Sequence, residues 1–158
     1  MLTDLERLVA IEEIKNLKAR YFRAMDTGDW DVLQTVFATD AVFDCSEAVV
    51  DPVDNPDADG PEPFVGGEAI VEAIRDAVST ANTVHHGHMP EIEITSQTTA
   101  TGIWPMEDVI RPLATDADLP FSSSGFKGYG HYHETYVRVD GAWRILTSKL
   151  TRLRVTFE

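Results

Sequence analysis

Apolar residues recur at intervals of three and four along the start of the chain: Leu5, Leu8, Ile11 or Val9, Ile14, Leu17, Tyr21 and Met25. That spacing makes one stripe of a helix that turns every 3.6 residues. Thr3 or Asp4 can cap its start, and Gly28 suits its end, because glycine enters the left-handed conformation of a helix terminus without steric penalty. A shorter amphipathic helix is predicted around residues 31–37, with Val32, Leu33, Val36 and Phe37 inward, and a third over residues 67–79, with Ile70, Val71, Ile74 and Val78 inward. Between these two, residues 41–45 alternate as a short strand. The stretch 46–63, with Pro52, Pro56, Gly60, Pro61, Pro63 and many acidic residues, reads as a mobile surface loop rather than a domain linker.

From Asn82 onward the period changes to two. Residues 83–95, 97–111, 128–139 and 142–157 are rich in Thr, Tyr, Val and Ile, as pleated strands are. Asp140-Gly141 between alternating segments predicts a two-residue hairpin turn. Helices gather in the first half and strands in the second, which predicts an α+β fold with a mainly antiparallel sheet. Long curved strands with helices on one side leave an apolar hollow between the layers, where a small molecule would sit.

The chain has 158 residues and a formal net charge of −14, enough for one domain with its own core. Such a surface repels phosphate backbones and anionic lipid heads, so no nucleic acid and no membrane is expected as a partner. From Ala24 to Ile110 the only basic residue is Arg75, against eighteen Asp and Glu, and this belt serves solubility. Cys45 is the only cysteine, which rules out an intrachain disulfide and a cysteine metal cluster. The start of the chain lacks a basic, then apolar leader, so a cytoplasmic location is expected.

All five histidines fall in two clusters: His85, His86 and His88, and His131 and His133. Alternate residues of a strand share a face. His86 and His88 therefore oppose His85, unless Gly87 or Pro90 introduces a bulge, and His131 and His133 oppose Tyr132, Glu134 and Tyr136. Three readings compete. The imidazoles satisfy ordinary hydrogen bonds, or they ligate a metal, or one of them is a general base. Glu134 follows His133 directly, without the gap of a cupin metal motif, and no HExxH or cysteine-pair pattern is present, so no metal is expected. A base needs a carboxylate to orient it. The candidate is Asp26, although the negative end of the helix dipole disfavours an acid there and spacing alone says only that it ends the helix.

The segments Tyr21-Phe22-Arg23-Ala24-Met25-Asp26-Thr27-Gly28-Asp29-Trp30, Phe37 to Phe43, Thr83-Val84-His85-His86-Gly87 and Gly130 to Ile145 resemble, in order and over nearly the whole chain, the SnoaL-like branch of the nuclear-transport-factor-2-like superfamily. The resemblance implies a cone: a curved sheet wrapped on three helices around an apolar pocket, as one domain over residues 1–158. Members include scytalone dehydratase, bile-acid 7α-dehydratase, hexachlorocyclohexane dehydrochlorinase, ketosteroid isomerase, limonene-epoxide hydrolase and SnoaL-type polyketide cyclases, most of which use no cofactor. Their Asp–His pair falls on Asp26 and His85, and an assisting aromatic or Lys falls on Tyr21. Of the basic residues on the last strand, Arg144, Lys149 and Arg152 all qualify as the group that polarises the substrate, and Arg152 is taken here. His86, His131, His133, Trp104 and Tyr132 are the expected substrate-binding residues.

The resemblance implies a cofactor-free lyase or isomerase of dehydratase type, acting on a small apolar ring compound: a steroid, a polyketide or an aromatic catabolite. It also implies a homo-oligomer, a dimer or trimer formed through the sheet. The rival readings are a non-catalytic binding or dimerisation module of the same fold, since fold does not fix function, and a histidine metal site. The long segments 46–63 and 112–125 are expected as lids over the pocket.

Overall fold

The computed structural model describes residues 2–49, 60–113 and 125–157. Helix α1 runs Asp4–Thr27. The Thr3 hydroxyl accepts from the Glu6 backbone, and the Glu6 carboxylate accepts in return from Thr3 N–H at 2.7 Å. Gly28 ends α1 at φ 67°, a left-handed conformation that costs an L-residue roughly 1–2 kcal/mol. Gly28→Ala is accordingly expected to lower the melting temperature by a few degrees in a thermal melt, and an unchanged melt would remove the strain argument.

Helix α2 covers Trp30–Gln34, and strand β1 follows at Phe37–Asp44. Phe37, expected in the helix, therefore opens the strand instead. Its chain is drawn into the sheet by pairing with β7 (Ala142–Phe157), which runs parallel to β1. The expected loop 46–63 begins with a short helix, α3 (Ser46–Val49), and is followed by the two-residue strand β2 (Phe64–Val65) paired to β1. The rest of that loop, and most of the second expected lid, lie outside the described residues. Helix α4 is Gly67–Val78, with Ile70, Val71, Ile74 and Val78 buried as the spacing predicts.

The expected strand 83–95 is two strands, β3 (Ala81–Gly87) and β4 (Glu91–Ile94). Pro90 has no N–H to donate to a ladder, and the break falls just ahead of it. His88 N–H still reaches Pro105 O at 2.8 Å, so both strands line up along the same edge of β5 (Thr99–Pro112). Strand β6 (Phe126–Val139) joins β5 to β7, and the sheet order is β2-β1-β7-β6-β5-β3. Asp140 and Gly141 close the β6–β7 hairpin with φ 50° and 80°, the positive values a tight hairpin turn requires.

The core lies between α1, α4 and the sheet. Ile14, Leu17, Tyr21, Phe22 and Met25 meet Trp104, Met106, Tyr132, Tyr136, Ile145 and Leu150. Leu5, Leu8 and Val9, the first residues of the expected buried stripe, are instead exposed. Among the described residues no helix is long and apolar enough to cross a membrane.

Candidate active site

Asp26 stands in the last turn of α1 and His85 on β3, and the two meet. Asp26 Oδ1 lies 2.6 Å from His85 Nδ1 and accepts the Thr83 hydroxyl at 2.8 Å, while Oδ2 accepts His85 backbone N–H at 2.9 Å. Thr83 and His85 are alternate residues of β3, so both face α1. Three donors thus supply what the helix dipole withholds. Burial of Asp26 works to raise its pKa, but the hydrogen bonds from His85 and Thr83 outweigh burial and hold the carboxyl below its ordinary value.

A carboxylate whose folded pKa is depressed stabilises the fold fully above its unfolded pKa of about 4, and that contribution disappears as pH falls through the lower folded value. The stability gap between the wild type and Asp26→Asn is therefore expected to be small at neutral pH and to close as pH falls below about 4. Denaturant melts at several pH values measure it, and a gap constant with pH would count against an ionised, hydrogen-bonded Asp26.

The His85 side chain is only 4% exposed. Phe22 stacks on the imidazole, with centroids 6.3 Å apart and planes at 12°. A groove of about 840 Å³ opens beside them, lined by Phe22, His85, Trp104, Lys18 and, toward the rim, His86 and Met89. His86 is exposed at that rim, and Trp104 is buried, giving its indole N–H to Tyr136 Oη at 2.7 Å.

Tyr21 and Tyr132 are both buried, with rings edge-to-face at 5.9 Å. Burial pushes both phenols well above their ordinary pKa, and a hydrogen bond between the two hydroxyls works to bring Tyr21 back down. Arg152 is not a free cation. Its Nη1 and Nη2 grip Asp108 at 2.8 and 2.7 Å, leaving Nε buried without a hydrogen-bond partner among the described residues. Asp108 sits directly opposite His85 in the β3–β5 register, so the inner face of the sheet carries His85, bonded to Asp26 of α1, beside Asp108, bonded to Arg152 of β7. Gly128 makes room for this second pair, because a Cβ there would run into both Arg152 Nη1 and Asp108 Oδ1.

His131 and His133 are not brought to the pair. The alternation of β6 places them on the outer face, their ring centroids 6.1 Å apart, opposite inward-facing Tyr132 and Glu134. Among the described residues no group of three or more His, Cys, Asp or Glu side chains could hold a metal.

The sequence reading missed three buried charged residues. Asp108 becomes visible only once the strand register is known. Lys18 and Glu134 carried a signal: each stands within an apolar period, Lys18 among Ile14, Leu17, Tyr21 and Phe22, and Glu134 between Tyr132 and Tyr136. They form an ion pair at 2.6 Å with side chains 1% and 0% exposed.

A curved sheet packed on helices defines a cone-shaped α+β protein of the nuclear-transport-factor-2-like superfamily. The chain belongs to the SnoaL-like family, whose domain it matches over residues 6–149. Solved structures share the fold. A provisionally assigned scytalone dehydratase from Novosphingobium aromaticivorans superposes with a TM-score of 0.79 at 19% identity, covering 99% of this chain and 92% of that one. The hexachlorocyclohexane dehydrochlorinase LinA-type3 from Novosphingobium barchaimii gives 0.77 at 17% identity, covering 99% and 94%. The Kfla4162 protein from Kribbella flavida gives 0.75 at 21% identity, covering 92% and 91%.

Proposed function

We propose that this protein is a cofactor-independent lyase or isomerase of dehydratase type, acting on a small, mostly apolar ring compound. The observation that carries the reading is the 2.6 Å contact between Asp26 and His85 Nδ1 on a nearly buried imidazole. With the Nδ1 proton committed to the carboxylate, Nε2 keeps its lone pair and is the nitrogen that takes a proton. Two of the structural relatives are named for eliminations, loss of water and loss of hydrogen chloride.

In the proposed step, His85 Nε2 removes a proton from carbon, and the C–H electron pair becomes the new double bond. The C–O bond on the neighbouring carbon breaks, and the departing oxygen leaves with its electrons and takes the proton from His85 Nε2, which releases water and returns the imidazole to its starting state. The imidazolium formed on His85 is stabilised by Asp26, in surroundings where charges interact more strongly than in water. Arg152 is matched where it stands by Asp108, and the two form a closed ion pair at the same inner face.

The test is a panel of cyclic β-hydroxy ketones, read by the ultraviolet absorbance of the conjugated enone and by loss of water in mass spectrometry. Turnover by the wild type and not by His85→Ala supports the reading. Binding of the panel without turnover by either protein would favour a binding module instead. Dialysis against a chelator is expected to leave the wild-type rate unchanged. A rate that falls and returns with added divalent metal would overturn the cofactor-free assignment.

A further inference from the structure

Two histidines take no part in the reaction just described. His131 and His133 stand on the outer face of β6, turned away from the hollow that holds His85. They are alternate residues of one strand, so both project from the same side. His133 is exposed and His131 half-buried, and their ring centroids lie 6.1 Å apart with planes at 48°. Directly across from His131 on β7 is Thr151, and across from His133 is Lys149. The Thr151 hydroxyl lies 3.4 Å from His133 Nε2, so the His133 ring leans back over the rung of His131 rather than over its own. A contact that long is a weak hydrogen bond, and it leaves Nε2 open to a stronger partner.

Imidazole nitrogen is a favoured ligand of zinc, nickel and copper(II). An ion bound about 2 Å from one nitrogen of each ring sets the two centroids about 5–6 Å apart, so small turns of surface side chains suffice. The surrounding charge admits a cation. The ammonium of Lys149 is drawn aside to Glu47 at 2.5 Å and lies 3.9 Å from Asp44, so its charge is matched away from the rings. Glu91 and Glu93 line the same outer groove as His133. The net charge of −14 gathers cations at the surface as a whole. Two imidazoles are fewer ligands than the three or four of a resident zinc centre, so the site is open, with water on the remaining positions and ready exchange of the ion.

We infer that His131 and His133 chelate one divalent transition-metal ion, of the zinc, nickel and copper(II) class, on the outer face of the sheet. Magnesium and calcium prefer oxygen ligands and are not taken. Asp26 and His85 lie on the other side of the sheet and have no share in the site. The inference therefore stands whether or not the protein is a lyase, and a chelator that empties the site leaves turnover untouched.

The test adds copper(II) in small steps to metal-free wild-type protein while nuclear magnetic resonance follows the five histidine rings. A paramagnetic ion broadens the nuclei nearest to it first. The signals of His131 and His133 should vanish together before one equivalent is reached, while that of His85 persists. Zinc measured by calorimetry should bind at one ion per chain, and magnesium should give no heat. His131→Asn and His133→Asn should each weaken zinc by at least about tenfold, because a chelating pair then loses its second, intramolecular contact. Broadening that begins at the other histidines, signals of His131 and His133 that ignore copper, or a zinc affinity unchanged in either variant would each overturn the proposal. The copper titration uses the wild type alone, so it decides the matter even where a variant fails to fold.

Discussion

Turnover of the substrate is expected to fall by more than a hundredfold in His85→Ala, and by a similar factor in Asp26→Asn, while the melting temperature of each moves by only a few degrees. The first loss follows from removing the proton acceptor. Positioned general acid–base help contributes typically 10²–10⁴-fold, which is roughly 3–5 kcal/mol of barrier. The second follows from the tautomer. With an amide at position 26 the carboxylate no longer claims the Nδ1 proton or steadies the imidazolium, so the ring is free to carry its proton on the wrong nitrogen. Stability changes less because the amide keeps one of the two oxygens: with it at the Oδ2 position the His85 backbone N–H keeps its acceptor, and the Thr83 hydroxyl, now beside the amide NH2, can turn to accept from it, so the loss is about one hydrogen bond, worth about 1 kcal/mol. Steady-state rates beside thermal melts make the measurement. Near-normal rates in either variant would dissolve the pair as a catalytic unit.

The largest expected effect on stability lies deeper in the fold. Glu134→Leu removes the partner of a lysine that is 1% exposed, and it also strands the hydroxyls of Ser148 and Tyr136. A buried charge left unpaired costs about 3–5 kcal/mol. For a domain of this size that corresponds to a drop of roughly 6–20 °C in melting temperature. Taking out both charges together is a different matter, because a buried ion pair repays its desolvation only in part. Lys18→Met/Glu134→Gln is therefore expected to melt well above Glu134→Leu and within a few degrees of the wild type. Calorimetry on the set decides it, and a double variant as unstable as the single one would show the pair to be a net contributor rather than a balanced one.

Much of the architecture was legible because it is written in periods. The stripe from Ile14 to Met25, the α4 face, the change to alternation after Asn82 and the turn at Asp140-Gly141 each correspond to an element of the structure. The departures have local causes. Leu5, Leu8 and Val9 continue the period of α1 while remaining exposed. Phe37 has the right spacing for a helix face, but parallel pairing to β7 claims it for the sheet.

The candidate site was legible in a different way. Asp26 and His85 stand 59 positions apart, nothing in the intervening chain says that they touch, and only the resemblance joined them. His131 and His133 were correctly placed on one face of their strand, but which face turns inward depends on burial, and Tyr132, Glu134 and Tyr136 take that side. Asp108 required the register of two strands. Lys18 could have been found, since a lysine in the middle of an apolar stripe either breaks the stripe or meets a buried acid.

One consequence concerns the rims of the sheet. Along one side β5 is covered by two short strands with a break before Pro90, and on the other β1 is covered by the two residues of β2. Among the described residues the longest strand at either margin is β3, seven residues, and long open edges are what template fibrils and tangled aggregates. Among the described residues, the interruption that splits the expected long strand in two shortens the stretch of edge that strand-to-strand addition would use.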